Sequence, residues 1–223
     1  MPNPEFVSHV EERYEPWEEE LFHGIYLRVV DPPITVVDMI RCWELWDLVK
    51  QTVGLKGAIL EVGCWKGGTG IVIADGARRA GIESSIYLCD TFKGTVKGSE
   101  IDKGYEIDGQ FSGVTKKEVE DIIDKFELEN VKVLEGVFPE ETGFMIEDKV
   151  FRFVHIDVDT YQSAKDCYDW IWPRLEVGGV LVYDDYGYLT VGGIKEHVNR
   201  VRYGLDRLSI YNLNEHAVIV KLS

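Results

Sequence analysis

Short, strongly apolar runs alternate along this chain with segments whose apolar residues fall three and four apart, and this alternation narrows the possible folds most. AILEV (58–62), SIYLCD (85–90), VKVLEG (131–136), VFRFVHIDVD (150–159) and GVLVYDD (179–185) read as five buried strands. Between them lie IVIADGARRA (71–80), the face Val119, Ile122, Ile123, Phe126 behind a Thr115/Glu118 capping box, and a helix from near Tyr161 to a stop at Pro173. A helix through Ile194, Val198 and Val201 stops at Gly204, and LSIYN and HAVIVKL then form a hairpin across Leu213 and Asn214. Strands connected through helices run parallel. The prediction is an α/β chain with a mostly parallel seven-stranded sheet, an antiparallel terminal hairpin and helices on both faces. Ligands of such sheets sit beyond the carboxyl ends of the strands.

With 223 residues, 45% of them hydrophobic, the chain can bury one core of its own. Residues 1–34 read as a polar, mobile N-terminal extension closed by Pro32-Pro33, and 35–223 as one domain. Thr35 with Asp38 marks a helix start, followed by the stripe Met39, Cys42, Trp43, Trp46, Val49 and Val53. Trp43 and Trp46 fit burial in the core or a face toward a second subunit. Residues 91–114 hold five glycines and no periodicity, which predicts a mobile loop over a site. A net charge of −16 works against nucleic acid and anionic membrane as partners. An acidic start with no apolar signal core, and no membrane-spanning run, point to the cytoplasm. Cys42, Cys64, Cys89 and Cys167 are scattered and read as reduced, buried thiols.

The first strand runs into Glu61-Val62-Gly63-Cys64-Trp65-Lys66-Gly67-Gly68, where Trp65 stands in place of the second glycine of the dinucleotide fingerprint. That glycine lets backbone approach a pyrophosphate, so the indole argues against NAD and FAD. S-adenosyl-L-methionine has no pyrophosphate; Gly63, Gly67 and Glu61 could serve its amino-acid tail, and Asp90, closing the second strand, its ribose hydroxyls.

Asp157 and Asp159 close the fourth strand, Asp184 and Asp185 the fifth. If those strands are neighbours, Asp157, Asp184 and Asp185 converge, and their repulsion is best relieved by a cation; an all-oxygen set suits Mg²⁺ or Mn²⁺. An alcohol is a poor nucleophile until a cation and a base assist loss of its proton. Asp159 is the candidate base, with Tyr161 or His155 as alternatives, although His155 fits a hydrogen-bonded core residue better.

Over roughly residues 35–205 these segments resemble the macrocin O-methyltransferases, which modify sugar hydroxyls on antibiotics and related natural products. The resemblance rests on EVGCWKGG, DTFKG, VLEGVFPEET and the block IDVDTYQSAKDCYDWIWPRLEVGGVLVYDDYG, in that order. It implies a Rossmann-like class I methyltransferase using S-adenosyl-L-methionine and Mg²⁺ or Mn²⁺, acting on a glycosylated small molecule. By the same resemblance Asp157, Asp184 and Asp185 hold the metal and Asp159 is the base. Glu61, Gly63, Trp65, Gly67, Thr69, Asp90, Thr91, Phe92 and Asp157 line the cofactor pocket. The chain departs from the family at Val158 and Thr160, where Gly and Leu are usual, and HAVIVKLS lacks the usual tryptophan-containing tail. Two other readings keep the fold: a cephalosporin hydroxylase-like methoxylation partner, and a non-catalytic nucleoside-binding module.

Overall fold

The computed structural model describes residues 15–102 and 111–223. Its strands are β1 (Ala58–Val62), β2 (Ile86–Asp90), β3 (Val131–Glu135), β4 (Phe151–Ile156), β5 (Leu175–Tyr183), β6 (Arg207–Tyr211) and β7 (Ala217–Lys221). They form one sheet in the order β3-β2-β1-β4-β5-β7-β6. The first five run parallel, β7 is antiparallel to β5, and β6 pairs antiparallel with β7. This is the mostly parallel sheet with a terminal hairpin that the sequence predicts. The strand order reverses between β1 and β4, which opens a crevice beyond their carboxyl ends.

Alternate residues of each strand face opposite cores. Ile59, Phe153, Val180 and Val182 pack beneath α1 (Glu20–Val30), α2 (Met39–Gln51), α3 (Gly68–Arg79) and α4 (Lys116–Lys125). Leu60, Val154, Leu181 and Tyr183 pack against α5 (Tyr161–Ile171) and α6 (Gly192–Val201). Each fully buried Leu, Val, Ile or Phe stabilises the fold by about 1.5–3 kcal/mol relative to exposure. Both faces being apolar is why the central strands read as continuous hydrophobic runs.

Three helix starts differ from or add to the expectation. The chain reaches α2 three residues after the expected cap: Thr35 Oγ1 accepts the Val37 N–H in a local turn, and Asp38 Oδ1 instead accepts the N–H groups of Ile40 and Arg41. Close packing fixes that detour, since a Cβ on Gly68 would lie 2.5 Å from the Ile34 carbonyl oxygen. Helix α3 begins at Gly68, ahead of the predicted residue 71. Residues 20–30, given no element from sequence, form α1, with Phe22, Ile25 and Val29 buried and Phe22 against Trp46. The Thr115/Glu118 capping box is formed, and all four cysteines are buried free thiols.

Residues 1–14 of the N-terminal extension and 103–110 of the 91–114 loop lie outside the described residues. The described part of that loop is tied to α5: Asp102 Oδ1 accepts the Tyr161 N–H, and Thr160 Oγ1 donates to the Val96 carbonyl. Among the described residues no helix is long and apolar enough to cross a membrane.

Candidate active site

The turn after β1 is built on glycine. Gly63 has φ +92°, and a Cβ there would lie 1.6 Å from the Asp157 carbonyl oxygen, so the ends of β1 and β4 touch backbone to backbone only because position 63 carries no side chain. Gly67, at φ +84°, precedes the first turn of α3. Trp65 also lies in the left-handed region at φ 46°, and its N–H donates to Asp90 Oδ2 at 2.7 Å. The Phe92 N–H donates to Asp90 Oδ1 at 2.7 Å. One carboxylate at the tip of β2 thereby ties the β1 turn to the β2 turn. Burial, with Glu61 adding to it, raises the Asp90 carboxyl, and the N–H groups of Phe92 and Trp65 oppose that rise.

A cavity of about 380 Å³ opens at this point, a size suited to a small molecule. Gly63, Trp65, Thr69, Asp90, Thr91 and Asp157 line it, together with Asp159, Asp184 and Asp185. Three residues expected at the cofactor do not. Glu61 is fully buried under α3, with Oε1 2.9 Å from His155 Nδ1 and Oε2 so close beneath Gly70 that a Cβ there would lie 2.7 Å from it. Gly67 contributes backbone conformation, and the Phe92 ring is buried in the core beneath α1–α4. The alternative bases also stand apart. His155 is fully buried against Glu61, and the Tyr161 ring packs on His197 at 6.0 Å.

Because β4 and β5 are neighbours, Asp157 meets Asp184 and Asp185, and one ligand atom from each lies within 4.8 Å of the others. The three are not electrostatically alike. Burial and then the charges of Asp184, Asp185, Asp159 and Glu61 push the Asp157 carboxyl well above its usual range. Burial, with Asp184 and Asp159, pushes Asp185 up to about 9. Asp184 goes the other way: burial alone would raise it, but His216 and Arg41 hold it far below the usual range. Burial lowers His216, yet Asp184 and Glu44 outweigh that and push it up to about 9.

Asp159 lines the same cavity at φ 60° and Asp185 stands at φ 61°, both in the left-handed region that non-glycine residues seldom occupy. Thr95 Oγ1 donates to Asp159 Oδ2 at 3.1 Å. Arg41, Glu44 and His216 escaped the sequence reading. Arg41 Nη1 lies 2.6 Å from Asp184 Oδ1, 3.9 Å from Asp185 Oδ1 and 3.6 Å from Glu215 Oε2. Its one local signal is an arginine three residues past a capping aspartate.

The Macrocin-O-methyltransferase (TylF) family description matches residues 31–206. The chain is 26% identical over 186 residues to an 8-demethyl-8-(2,3-dimethoxy-alpha-L-rhamnosyl)-tetracenomycin-C 4'-O-methyltransferase of Streptomyces olivaceus, covering 77% of this chain and 69% of that protein. The structure of the O-methyltransferase NovP superposes with a TM-score of 0.72 at 21% identity, over 85% of this chain and 83% of that one. An O-methyltransferase from Bacillus cereus, solved in complex with SAH, superposes with a TM-score of 0.58 at 18% identity, over 97% and 96% of the two chains. The fold is that of the Rossmann-like class I O-methyltransferases, and the chain belongs to the macrocin O-methyltransferase (TylF) family.

Proposed function

We propose that this protein transfers a methyl group from S-adenosyl-L-methionine to a sugar hydroxyl of a glycosylated small molecule, with Mg²⁺ or Mn²⁺ held by Asp157, Asp184 and Asp185. The observation that carries the reading is the convergence of those three carboxylates within 4.8 Å beside the glycine turn. Such a set fits a divalent cation: every donor is oxygen, and two of the carboxyls are driven up by burial and then by the charges of their neighbours, a repulsion that a cation would relieve. The rhamnosyl group in the name of the Streptomyces olivaceus relative supports a sugar acceptor, and the SAH in the Bacillus cereus complex supports the cofactor. Among the described lining residues the charged side chains are five aspartates and Arg41, a balance that works against an anionic acceptor. Residues 35–223 would carry this activity.

When bound, the cation supplies Lewis acidity to the acceptor hydroxyl and the cofactor supplies the methyl group. The chain's own residues do the remaining work. Asp159 takes the hydroxyl proton on its carboxylate, steadied by the Thr95 hydroxyl. Asp90 accepts the ribose hydroxyls on lone pairs not used by Trp65 and Phe92. Gly63, Trp65, Thr69 and Thr91 bound the cofactor side of the cavity. Ile34, Val37, Phe138 and Val191 form apolar wall that excludes water from the reacting atoms.

Arg41 favours a second reading, in which a guanidinium already among the carboxylates serves as the counter-charge without metal. Labelled methyl transfer to glycosylated acceptors, measured on chelator-treated protein, separates the two. Chelation is expected to abolish transfer and added Mg²⁺ to restore it; transfer indifferent to chelation would leave Arg41 in that role.

A further inference from the structure

Asp184 is held by groups far from it in sequence. Its Oδ1 lies 2.6 Å from Arg41 Nη1 on α2 and 3.1 Å from Nε2 of His216, the residue before β7. The His216 ring is fully buried, and its other nitrogen, Nδ1, lies 2.7 Å from Glu44 Oε2 on α2. Glu44 Oε1 in turn accepts from Asn212 Nδ2 in the connection between β6 and β7. A polar chain therefore runs from that connection through α2 to the tip of β5. The His216 ring is hydrogen-bonded to Glu44 through Nδ1 and meets Asp184 through Nε2 as a close contact, so it cannot turn without losing both.

We propose that Glu44 and His216 form a positioning dyad for Asp184, committing its Oδ1 to Arg41 and His216 and leaving Oδ2 for the divalent cation. This rests on the metal reading above. Three clustered carboxylates repel one another, and an aspartate has two side-chain torsions through which to swing away. Arg41 and His216 both lie against Oδ1, at 2.6 and 3.1 Å, so the carboxylate is held before any cation arrives. Ligating carboxylates elsewhere are likewise hydrogen-bonded by outer partners whose loss weakens metal binding. The dyad also gives the terminal hairpin a task in the site, because β7 delivers His216 beside Asp184 while β5 delivers Asp184 itself.

Manganese binding followed by electron paramagnetic resonance, with SAH binding followed by calorimetry, tests this on the full chain. His216→Leu is expected to weaken Mn²⁺ binding roughly 10- to 100-fold while SAH affinity stays within about twofold. His216→Gln, whose amide can still donate toward Asp184, should recover part of the loss, and Glu44→Gln should show a smaller loss. A merely structural role would lower thermal stability and leave Mn²⁺ affinity unchanged. Wild-type Mn²⁺ affinity in His216→Leu and Glu44→Gln, beside lost binding in Asp185→Ala, overturns the dyad and keeps the metal site. Wild-type affinity in Asp185→Ala overturns the metal site and the dyad with it. Should His216→Leu fail to fold, Glu44→Gln, which keeps the shape of the side chain, decides the question.

Discussion

Asp159→Asn is expected to lower kcat by about 10²- to 10⁴-fold, the usual worth of a positioned base, with SAH affinity within about twofold of the wild type. The substitution isolates the chemistry. Asn has the shape of Asp and can keep a bond to Thr95, but it cannot take a proton at neutral pH. The backbone at 159 sits at φ 60°, a region Asn occupies as readily as Asp, so the fold should be undisturbed. Single-turnover transfer of labelled methyl, with calorimetric SAH binding on the same samples, makes the comparison. A variant with wild-type turnover would remove Asp159 as the base. His155 and Tyr161 would not replace it, since neither lines the cavity.

The second large effect is a pH-dependent stabilisation by Mg²⁺. Asp157 and Asp185 have folded-state values above those of an unfolded chain, so the metal-free native state binds more protons than the unfolded state. Stability therefore falls as pH rises from the ordinary carboxylate range toward about 9. His216, raised to about 9, acts in the same direction: its contribution is present below the ordinary histidine range and is lost as pH passes through about 9. Asp184 has the opposite sign, its contribution present at neutral pH and lost only in strong acid. A cation needs the carboxylates ionised, so its binding releases protons and tightens with rising pH. At a concentration of about 100 Kd, Mg²⁺ should add about 2.7 kcal/mol, or roughly 5–10 °C in Tm for a chain of this size. Scanning calorimetry at about pH 8.5 should record that increment, and at about pH 5.5 little of it, by the same proton linkage. Asp185→Ala should show neither, and an increment that is absent or equal at both pH values would count against the metal.

What was legible in the sequence was whatever depended on neighbours in the chain. Gly63 signalled a turn that forbids a side chain, and the strand runs located the tips carrying Asp90, Asp157 and Asp184. The meeting of Asp157 with Asp184 and Asp185 could be anticipated only on the condition that the fourth and fifth strands are neighbours, a condition that the observed strand order meets. Contacts set by packing of distant segments were not legible. Arg41 and Asp184 are 143 positions apart, and their meeting depends on how α2 settles over β5. The burial of Glu61 was hidden for the same reason, because its motif position suggests the cofactor while the approach of α3 encloses it against His155. The helix Glu20–Val30 had a visible cue in Phe22, Ile25 and Val29, but the charge-rich residues before it masked the apolar face.

A crystal grown with Mn²⁺ and SAH, recorded at the manganese edge, tests the metal site most directly. One anomalous peak is predicted about 2.0–2.2 Å from oxygens of Asp157, Asp184 and Asp185 together. An empty cluster with Arg41 still spanning Asp184 and Asp185, or a peak bound by other residues, would contradict it.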